Sequence, residues 1–292
     1  MEFGRISAKL KNYGGLVMFS HTVFSLPFGI IAAIWAADGI PPVRVAVWVL
    51  VALIAARNGA NAFNRVADAR IDAKNARTAT RHIPTGKVTI KEAAALTVFC
   101  FALTALAAAL LNWTCLILLP IPIALFIFYS YSKRVTWLCH FILGVCCGGA
   151  PVGAWIAVTG TVNFTAIVMG GVVCAWVAGF DIIYATQDIE FDRRERLHSV
   201  PAKFGLQGAL IISALSHIGA VFGLLLLWYL LNLGIIYLLG VAAIFAVLVL
   251  EHYSVSPLNK KKMEFASYIA NQIVSMLFLV FAGADFVIGR YL

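Results

Sequence analysis

The dominant pattern along the chain is a series of long apolar runs separated by shorter polar segments. Each run has about 18 or more residues, enough for a helix to cross a hydrocarbon layer of roughly 30 Å. The runs lack the alternating polar and apolar positions of barrel strands, so helices must satisfy the backbone in lipid. The pattern predicts an all-α polytopic membrane protein with nine transmembrane helices, at residues 16–36, 44–66, 93–111, 114–130, 137–158, 164–185, 208–230, 234–251 and 266–289.

Composition supports the membrane prediction and excludes a soluble enzyme. Of 292 residues, 62% are hydrophobic and 12% charged, whereas a soluble domain is about half apolar and a quarter charged. No Gly/Ser-rich or Pro-rich linker divides the chain, so residues 1–292 are expected to form one transmembrane domain. The six cysteines all lie in apolar runs without a Cys-x-x-Cys pair, which favours reduced, buried thiols over a disulfide or a metal site.

Basic residues are distributed unevenly between the two sides that nine helices define. They precede the first span and follow the second, fourth, sixth and eighth, while only Arg44 and Arg290 lie on the other side. The positive-inside rule then places the N-terminus and the long loops in the cytoplasm. The chain is expected in the inner (cytoplasmic) membrane, with its active site facing the cytoplasm and its lysines near lipid headgroups. The net charge of +9 reflects this asymmetry, so no nucleic acid is expected as a partner.

A first polar cluster lies at the end of the second span. Asn64, Asp68 and Asp72 are spaced by four, which places them on one face of a helix, and Arg57 continues that face into the membrane. Two carboxylates four residues apart repel each other, and a divalent cation would remove that repulsion. Mg²⁺ suits this site because it binds oxygen ligands, commonly one or two carboxylates together with substrate phosphates.

A second cluster follows the sixth span and repeats the acidic pattern. Asp181, Asp188 and Asp192 are separated by seven and four residues, so they too are expected to share a helix face. Both clusters precede basic loops, and together they favour a site for a diphosphate bridged by metal ions. The alternative is two solvated helix ends whose acids pair with nearby Lys and Arg; the repetition of the pattern favours the metal site.

These clusters belong to a set of four motifs that resembles a known family. In chain order the motifs are Asn64-x3-Asp68-x3-Asp72, Arg77-Thr-x2-Arg81-x2-Pro84-x-Gly86, Tyr131-Ser-Lys133-Arg134-x-Thr136 and Asp181-x6-Asp188-x3-Asp192. They resemble the UbiA superfamily of intramembrane aromatic prenyltransferases, in particular 4-hydroxybenzoate polyprenyltransferases and the similar enzymes proposed for the futalosine route to menaquinone. The resemblance extends from about residue 15 to the C-terminus.

The resemblance implies nine helices around a central cavity, with Mg²⁺ and a polyprenyl diphosphate as cofactor and donor. It assigns Asn64, Asp68, Asp72, Asp188 and Asp192 to the metal and diphosphate, and Arg77, Arg81 and Lys133 to the diphosphate. Asp181 would line the site beside the forming cation, and Arg57 would bind the carboxylate of an aromatic acid acceptor. Asp181, Lys133 and Arg57 are thus the expected catalytic residues. Diphosphate would be released as the prenyl group reaches a ring carbon of an acceptor such as 4-hydroxybenzoate, in ubiquinone or menaquinone biosynthesis.

Two positions depart from the family pattern, and three alternatives stay open. Arg65 stands where many members have Asp, and His198 stands where some relatives have Lys. The acceptor could instead be a dihydroxynaphthoate. A secondary transporter would also contain an intramembrane Arg, although the acidic residues here cluster at one surface. A CDP-alcohol phosphotransferase also uses paired aspartates, but its Asp-Gly-x2-Ala-Arg opening is missing.

Four ionisable residues in or near the spans receive a structural interpretation or none. His140 and His217 have no carboxylate neighbours in sequence, so packing or helix-to-helix hydrogen bonds are expected. Glu251 and Asp285 lie near span ends, where both could reach the interface, and no role is assigned to them.

Overall fold

The computed structural model describes residues 9, 12–17, 26–256 and 259–291. Within these residues the chain is helical and contains no strand, which confirms the all-α prediction. Two short segments are helical but not α-helical: a 3-10 turn at Thr186–Asp188 and a π-helical turn at Phe265–Ile269. The helices are α1 Leu26–Ala36, α2 Val43–Ala67, α3 Ala69–Lys74, α4 Ile90–Leu111, α5 Trp113–Leu118, α6 Pro120–Ser132, α7 Cys139–Thr159, α8 Phe164–Ala185, α9 Ile189–Arg194, α10 Val200–Leu231, α11 Ile235–Ser254, α12 Lys260–Glu264 and α13 Ala270–Tyr291.

Eight helical segments of the described chain are long and apolar enough to cross a membrane. They correspond to the second through ninth predicted spans, with ends that agree to within a few residues for most of them. The first predicted span, 16–36, is represented by α1, which is shorter than a full crossing. Residues 18–25 of that span lie outside the described residues.

The helices group into two compact units. One unit comprises Met1–Val23 and Val43–Tyr131, and the other comprises Phe24–Pro42 and Ser132–Leu292. The expectation of a single domain over 1–292 stays a prediction.

In the first unit, α2 packs against α4. Side chains of α4 pack directly on the α2 backbone at Gly59, where a Cβ atom would lie 2.7 Å from the Phe101 ring. Thr89 begins α4 with a reciprocal capping box, in which its hydroxyl accepts the Glu92 N–H and the Glu92 carboxylate accepts the Thr89 N–H. Such boxes satisfy backbone donors that a helix start leaves free. At the other end of α4, Arg44 of α2 donates to the Leu110 carbonyl at 2.9 Å.

In the second unit, α8 is the central helix. In an apolar 18-residue stretch of this segment, 61% of the residues are buried, compared with 6–39% in the corresponding stretches of the other seven candidate spans. A buried aromatic group surrounds it: Phe28 stacks on Phe278 at 4.1 Å between centroids, and Trp176 of α8 lies 5.2 Å from Phe28. The indole N–H of Trp176 donates to Asn271, whose amide donates to the buried Glu251. Glu251 is therefore a member of a buried polar chain that links α8, α13 and α11.

Helices α7 and α8 contact each other through backbone atoms. A Cβ atom at Gly144 would overlap the carbonyl oxygen of Cys174, and one at Gly148 would overlap that of Gly170. Small residues at such positions allow transmembrane helices to pack by van der Waals contact at short range.

The longest helix, α10, starts earlier than hydropathy predicts. The apolar run predicted a start at 208, but the structure has helical backbone from Val200, with Gly205 in a non-helical conformation of φ 71° and ψ −177°. Only glycine adopts such a backbone without strain. The segment before this break, with Pro201 and Lys203, is too short to show an apolar helical pattern of its own, so the pattern becomes visible only after Gly205.

Candidate active site

The first acidic motif lies across a break between α2 and α3. Helix α2 ends at Ala67, and Asp68 takes φ −95° and ψ 5° before α3 begins. The hydrogen bonds of helical spacing continue through the break: Asp68 N–H donates to the Asn64 carbonyl, and Asp72 N–H to the Asp68 carbonyl. Asn64, Asp68 and Asp72 thus keep the spacing that the sequence predicts for one face.

Side-chain contacts within this motif leave one carboxylate oxygen available. The Asn64 amide donates to Asp68 Oδ2 at 3.0 Å. Asp72 is buried, and its Oδ1 accepts a hydrogen bond from Arg81 Nη1 at 2.7 Å. Its Oδ2 is also buried and accepts no hydrogen bond from the residues that the structure describes. A buried carboxylate oxygen without a donor is suited to binding a cation.

The loop after α3 folds back on the helix and positions Arg81. Thr78 donates its hydroxyl to the Asp72 carbonyl at 3.0 Å, and the Arg77 N–H donates to the Asn75 side chain. The Arg81 N–H then donates to the Thr78 carbonyl. These local bonds bring Arg81 to Asp72, nine residues away, in the first unit.

Arg57 lies well inside the membrane-spanning part of α2. It is 14 residues beyond Val43, which at about 1.5 Å per residue is roughly 21 Å along the helix. Its side chain is half-buried. Asn61, one turn further on, donates to the Val17 carbonyl at 2.8 Å.

The second acidic motif is not one continuous helix, so the expectation of a single helix face for its three aspartates is wrong. Helix α8 ends at Ala185, and a 3-10 turn precedes α9. The Thr186 hydroxyl donates to the Ile183 carbonyl at 2.7 Å, and its N–H also reaches that carbonyl, which tightens the backbone. Asp188 and Asp192 are buried, while the side chain of Asp181 keeps 19% of its surface exposed.

Asp192 of the second motif contacts both a serine and a lysine side chain. Its Oδ2 accepts a hydrogen bond from the Ser199 hydroxyl at 2.8 Å and lies 3.8 Å from Lys133 Nζ. The His198 N–H donates to the Lys133 carbonyl at 2.6 Å, so the two loops are joined through the backbone as well.

The nearby carboxylates of the second motif raise the pKa of Lys133. Desolvation alone would lower the pKa of this ammonium, but the carboxylate of Asp192, with smaller contributions from Asp181 and Asp188, outweighs it and raises the pKa above its usual range. The acidic surroundings therefore favour the charged form of Lys133 beside the second motif, in the second unit.

The protein groups do not form a closed metal cage. Among the residues described, no group of three or more His, Cys, Asp or Glu side chains could hold a metal ion. An open site with one or two carboxylates is what Mg²⁺ needs when phosphate oxygens and water complete its coordination. The spare oxygen of Asp72 fits such a site.

Comparison with known proteins decides the family. A family model described as the UbiA prenyltransferase family matches residues 25–279, most of the chain. The chain belongs to this family. It is an integral membrane prenyltransferase, and the alternative of a secondary transporter finds no support.

Individual UbiA relatives cover nearly the full length. A 4-hydroxybenzoate octaprenyltransferase of Aliivibrio fischeri is 26% identical over 275 residues, covering 91% of this chain and 96% of the relative. The apo structure of a UbiA homolog from Aeropyrum pernix K1 is 30% identical, with a TM-score of 0.80 over 93% of this chain and 98% of that one. A UbiA homolog from Archaeoglobus fulgidus, bound to DMAPP and Mg²⁺, shares the fold with a TM-score of 0.71 at 18% identity, over 95% and 99% of the two chains.

One contact near the motifs was not predicted from sequence. His140 of α7 lies with Nδ1 2.6 Å from Asp181 Oδ2 of α8, and the His140 side chain has no exposed surface. The sequence does contain a signal, because an ionisable residue inside an apolar span needs a polar partner. It does not identify that partner, which lies 41 positions away.

Proposed function

We propose that this UbiA family member transfers a polyprenyl group from polyprenyl diphosphate to a ring carbon of 4-hydroxybenzoate, with Mg²⁺ as cofactor. The observation that carries the proposal is the Asp72–Arg81 pair. It provides a buried carboxylate oxygen that can bind a cation and, at 2.7 Å, a guanidinium that can bind phosphate. A carboxylate beside an arginine can bind the metal ion and the phosphate oxygens at the same time. The pair therefore suits a metal-bound diphosphate better than a metal ion or a diphosphate alone.

The donor half of the proposal assigns the two acidic motifs. Mg²⁺, when bound, neutralises the diphosphate and stabilises the charge that develops on the leaving group. Arg77, Arg81 and Lys133 are the cations proposed to bind the diphosphate. The proposed metal ligands are Asn64, Asp68, Asp72, Asp188 and Asp192.

The acceptor half assigns Arg57 to the carboxylate of the aromatic acid. Its guanidinium can bind a carboxylate through two parallel hydrogen bonds, which fixes both position and orientation. The ring carbon beside the hydroxyl then attacks the allylic carbon, and diphosphate departs. Apolar helices exclude water from the cationic centre. Asp181 lies beside that centre in this proposal.

The acceptor and the cellular location rest on separate support. The name of the Aliivibrio fischeri relative supports 4-hydroxybenzoate, and a dihydroxynaphthoate is the alternative acceptor. The basic loops support an inner-membrane protein whose active site faces the cytoplasm. The product would then enter quinone biosynthesis at the membrane.

A direct assay tests this function. Purified protein in lipid nanodiscs would receive one long-chain donor, Mg²⁺ and each acceptor in turn, with diphosphate release and prenylated product both measured. We expect product with 4-hydroxybenzoate and none after chelation of the metal. Release of CMP from a CDP-alcohol, or product only with dihydroxynaphthoate, would contradict the proposal.

Variants of the acidic motifs test the residue assignment. Asp68→Ala and Asp188→Ala should each abolish turnover, whereas Glu190→Gln, at an exposed position between Asp188 and Asp192, should stay active. Near-normal Mg²⁺-dependent activity in either alanine variant would remove its motif from the site.

A further inference from the structure

The contact between His140 and Asp181 places two ionisable side chains together inside the second unit. Nδ1 of His140 lies 2.6 Å from Oδ2 of Asp181. His140 is completely buried, while Asp181 keeps 19% of its side-chain surface exposed. The histidine is thus enclosed by protein, and the carboxylate is the member of the pair that a substrate can reach.

Backbone packing fixes the relative position of the two side chains. His140, Gly144 and Gly148 are spaced by four on α7, and the two glycines contact the α8 backbone at Cys174 and Gly170. Because no side chain separates the helices there, direct contact between their backbones sets the distance between α7 and α8. The close approach of His140 to Asp181 is therefore built into the helix pair.

The histidine acts on Asp181 as a hydrogen-bond donor. The carboxylate can only accept when ionised, so the proton lies on Nδ1 of His140. Nε2 of His140 is buried and has no hydrogen-bond partner among the described residues. The hydrogen bond to His140 occupies Oδ2 of Asp181 and fixes the plane of the carboxylate, and no other bond to Asp181 is found in the described part of the chain. Oδ1 therefore stays available as an acceptor.

We propose that His140 is a positioning residue that orients Asp181, and that Asp181 is the base that takes the ring proton of the acceptor. This inference rests on the proposed function. Ring electrons form the new bond to the allylic carbon, and the allylic carbon–oxygen bond breaks with its electron pair leaving on diphosphate. The electron pair of the ring C–H bond then restores aromaticity, and its proton moves to Oδ1 of Asp181. His140 keeps its own Nδ1 proton throughout.

A second aspartate of this motif, Asp192, is less suited to this step. Asp192 is buried and already engaged by Ser199 and Lys133. A base must bind and release a proton in every cycle, and the Lys133 ammonium 3.8 Å from Asp192 favours the charged carboxylate and so opposes proton uptake. Asp181, bonded to His140, has no Lys or Arg within ion-pair distance in the described residues.

An isotope experiment separates positioning from folding. The acceptor would be deuterated at the ring carbon that receives the prenyl group, and kcat would be compared for both isotopic forms. In His140→Leu we expect kcat to fall at least about tenfold, with a larger deuterium effect than in the wild type, because proton removal has become slow. The donor KM should not change. In His140→Asn, whose amide can donate at the place of Nδ1, rate and isotope effect should largely return to wild-type values.

His217→Leu is the matched control, because His217 is a second buried histidine of the same unit. It should lower the melting temperature without changing the isotope effect. An unchanged isotope effect in a folded His140→Leu variant, or equal losses in the Asn and Leu variants, would overturn the inference.

A double variant gives an independent answer, including the case in which His140→Leu is unstable. If His140 acts through Asp181, adding His140→Ala, which removes the donor, to Asp181→Asn should lower kcat no further, whereas multiplied losses would contradict the proposal. A wild-type protein that forms no prenylated product would instead refute the proposed function, and this inference with it.

Discussion

Ser199 donates its hydroxyl proton to Asp192 Oδ2 at 2.8 Å, and both side chains are buried. The same hydroxyl accepts the backbone N–H of Ala202 at 3.2 Å and so caps the start of α10. One oxygen atom therefore orients a proposed metal ligand and begins the longest helix of the chain.

Ser199→Ala should lower both stability and turnover. Loss of an N-cap costs about 1 kcal/mol, and Asp192 loses a hydrogen bond that holds its carboxylate. Thermal melts in detergent and diphosphate release would measure the two effects. Asn163→Ala is the matched control: Asn163 caps α8 by accepting from Ala166 and has no such contact with a motif aspartate. It should be destabilised to a similar degree with unchanged turnover per folded molecule; equal losses of turnover would contradict the second role of Ser199.

Removing Arg81 should damage stability and activity by separable routes. Arg81→Ala leaves the buried carboxylate of Asp72 without its cation, and hydrogen bonds to charged groups contribute about 1.5–3 kcal/mol. Adding Asp72→Asn removes the stranded charge, so the double variant should regain most of the lost stability while staying inactive. Melting temperature and diphosphate release would be measured for Arg81→Ala, for Asp72→Asn alone and for the double variant. Recovery of activity in the double variant would show that the pair is structural only.

Arg57→Lys should raise the acceptor KM at least about tenfold if a charge-assisted pair worth about 1.5–3 kcal/mol is weakened. The donor KM should change little. Arg44→Ala is the control on the same helix, because Arg44 donates to the Leu110 carbonyl at the opposite end of α2. Equal rises in both KM values, together with a lower melting temperature, would indicate a structural role for Arg57.

Asp285→Ala should retain its activity but lose stability. Asp285 is buried and accepts the backbone N–H groups of Gly234 and Tyr237 at 2.8 and 3.1 Å, so it caps α11 from a different helix. We expect a loss of about 1–3 kcal/mol, measured as a lower melting temperature. Asp38→Asn, which weakens an exposed ion pair with Arg290 instead, should have almost no effect. A loss of turnover per folded molecule would show that Asp285 acts in the reaction.

Cysteine labelling in intact cells tests the orientation in the membrane. In a cysteine-free background, Thr161→Cys should react with a membrane-impermeant reagent and Thr80→Cys should not, because the basic loops are predicted to be cytoplasmic. Both positions are exposed, whereas Asn75 in the same loop as Thr80 is buried and unsuited to labelling. Labelling at Thr80 alone, or at both positions, would contradict the orientation.

Hydropathy was sufficient to predict most of the fold. The predicted span 164–185 coincides with Phe164–Ala185, and 234–251 differs from Ile235–Ser254 by one and three residues. Apolar length is a local property, so a single sequence reveals it. The start of α10 was missed because the segment before Gly205 is short, contains Pro201 and Lys203, and is separated from the long apolar run by a break in the helix.

The site was predicted to the extent that it depends on local spacing. The Asn64–Asp68 hydrogen bond spans four residues and follows from helical geometry. Contacts between helices do not follow in that way. Asp181 and His140 are 41 residues apart, and their contact depends on which faces of α7 and α8 pack together. Sequence could show that each buried ionisable residue needs a partner, but not which residue that partner is.

The backbone contact between α7 and α8 has a consequence for how mutational data on this protein are interpreted. Gly148 is two turns, about 12 Å, from His140, and it carries no group that could take part in the chemistry. A methyl group there would nevertheless overlap the Gly170 carbonyl and force the helices apart. Separation of the helices would draw His140 away from Asp181. An alanine scan scored by turnover would therefore rank Gly144 and Gly148 beside the acidic residues. The two glycines matter only because they have no side chain to keep the helices apart.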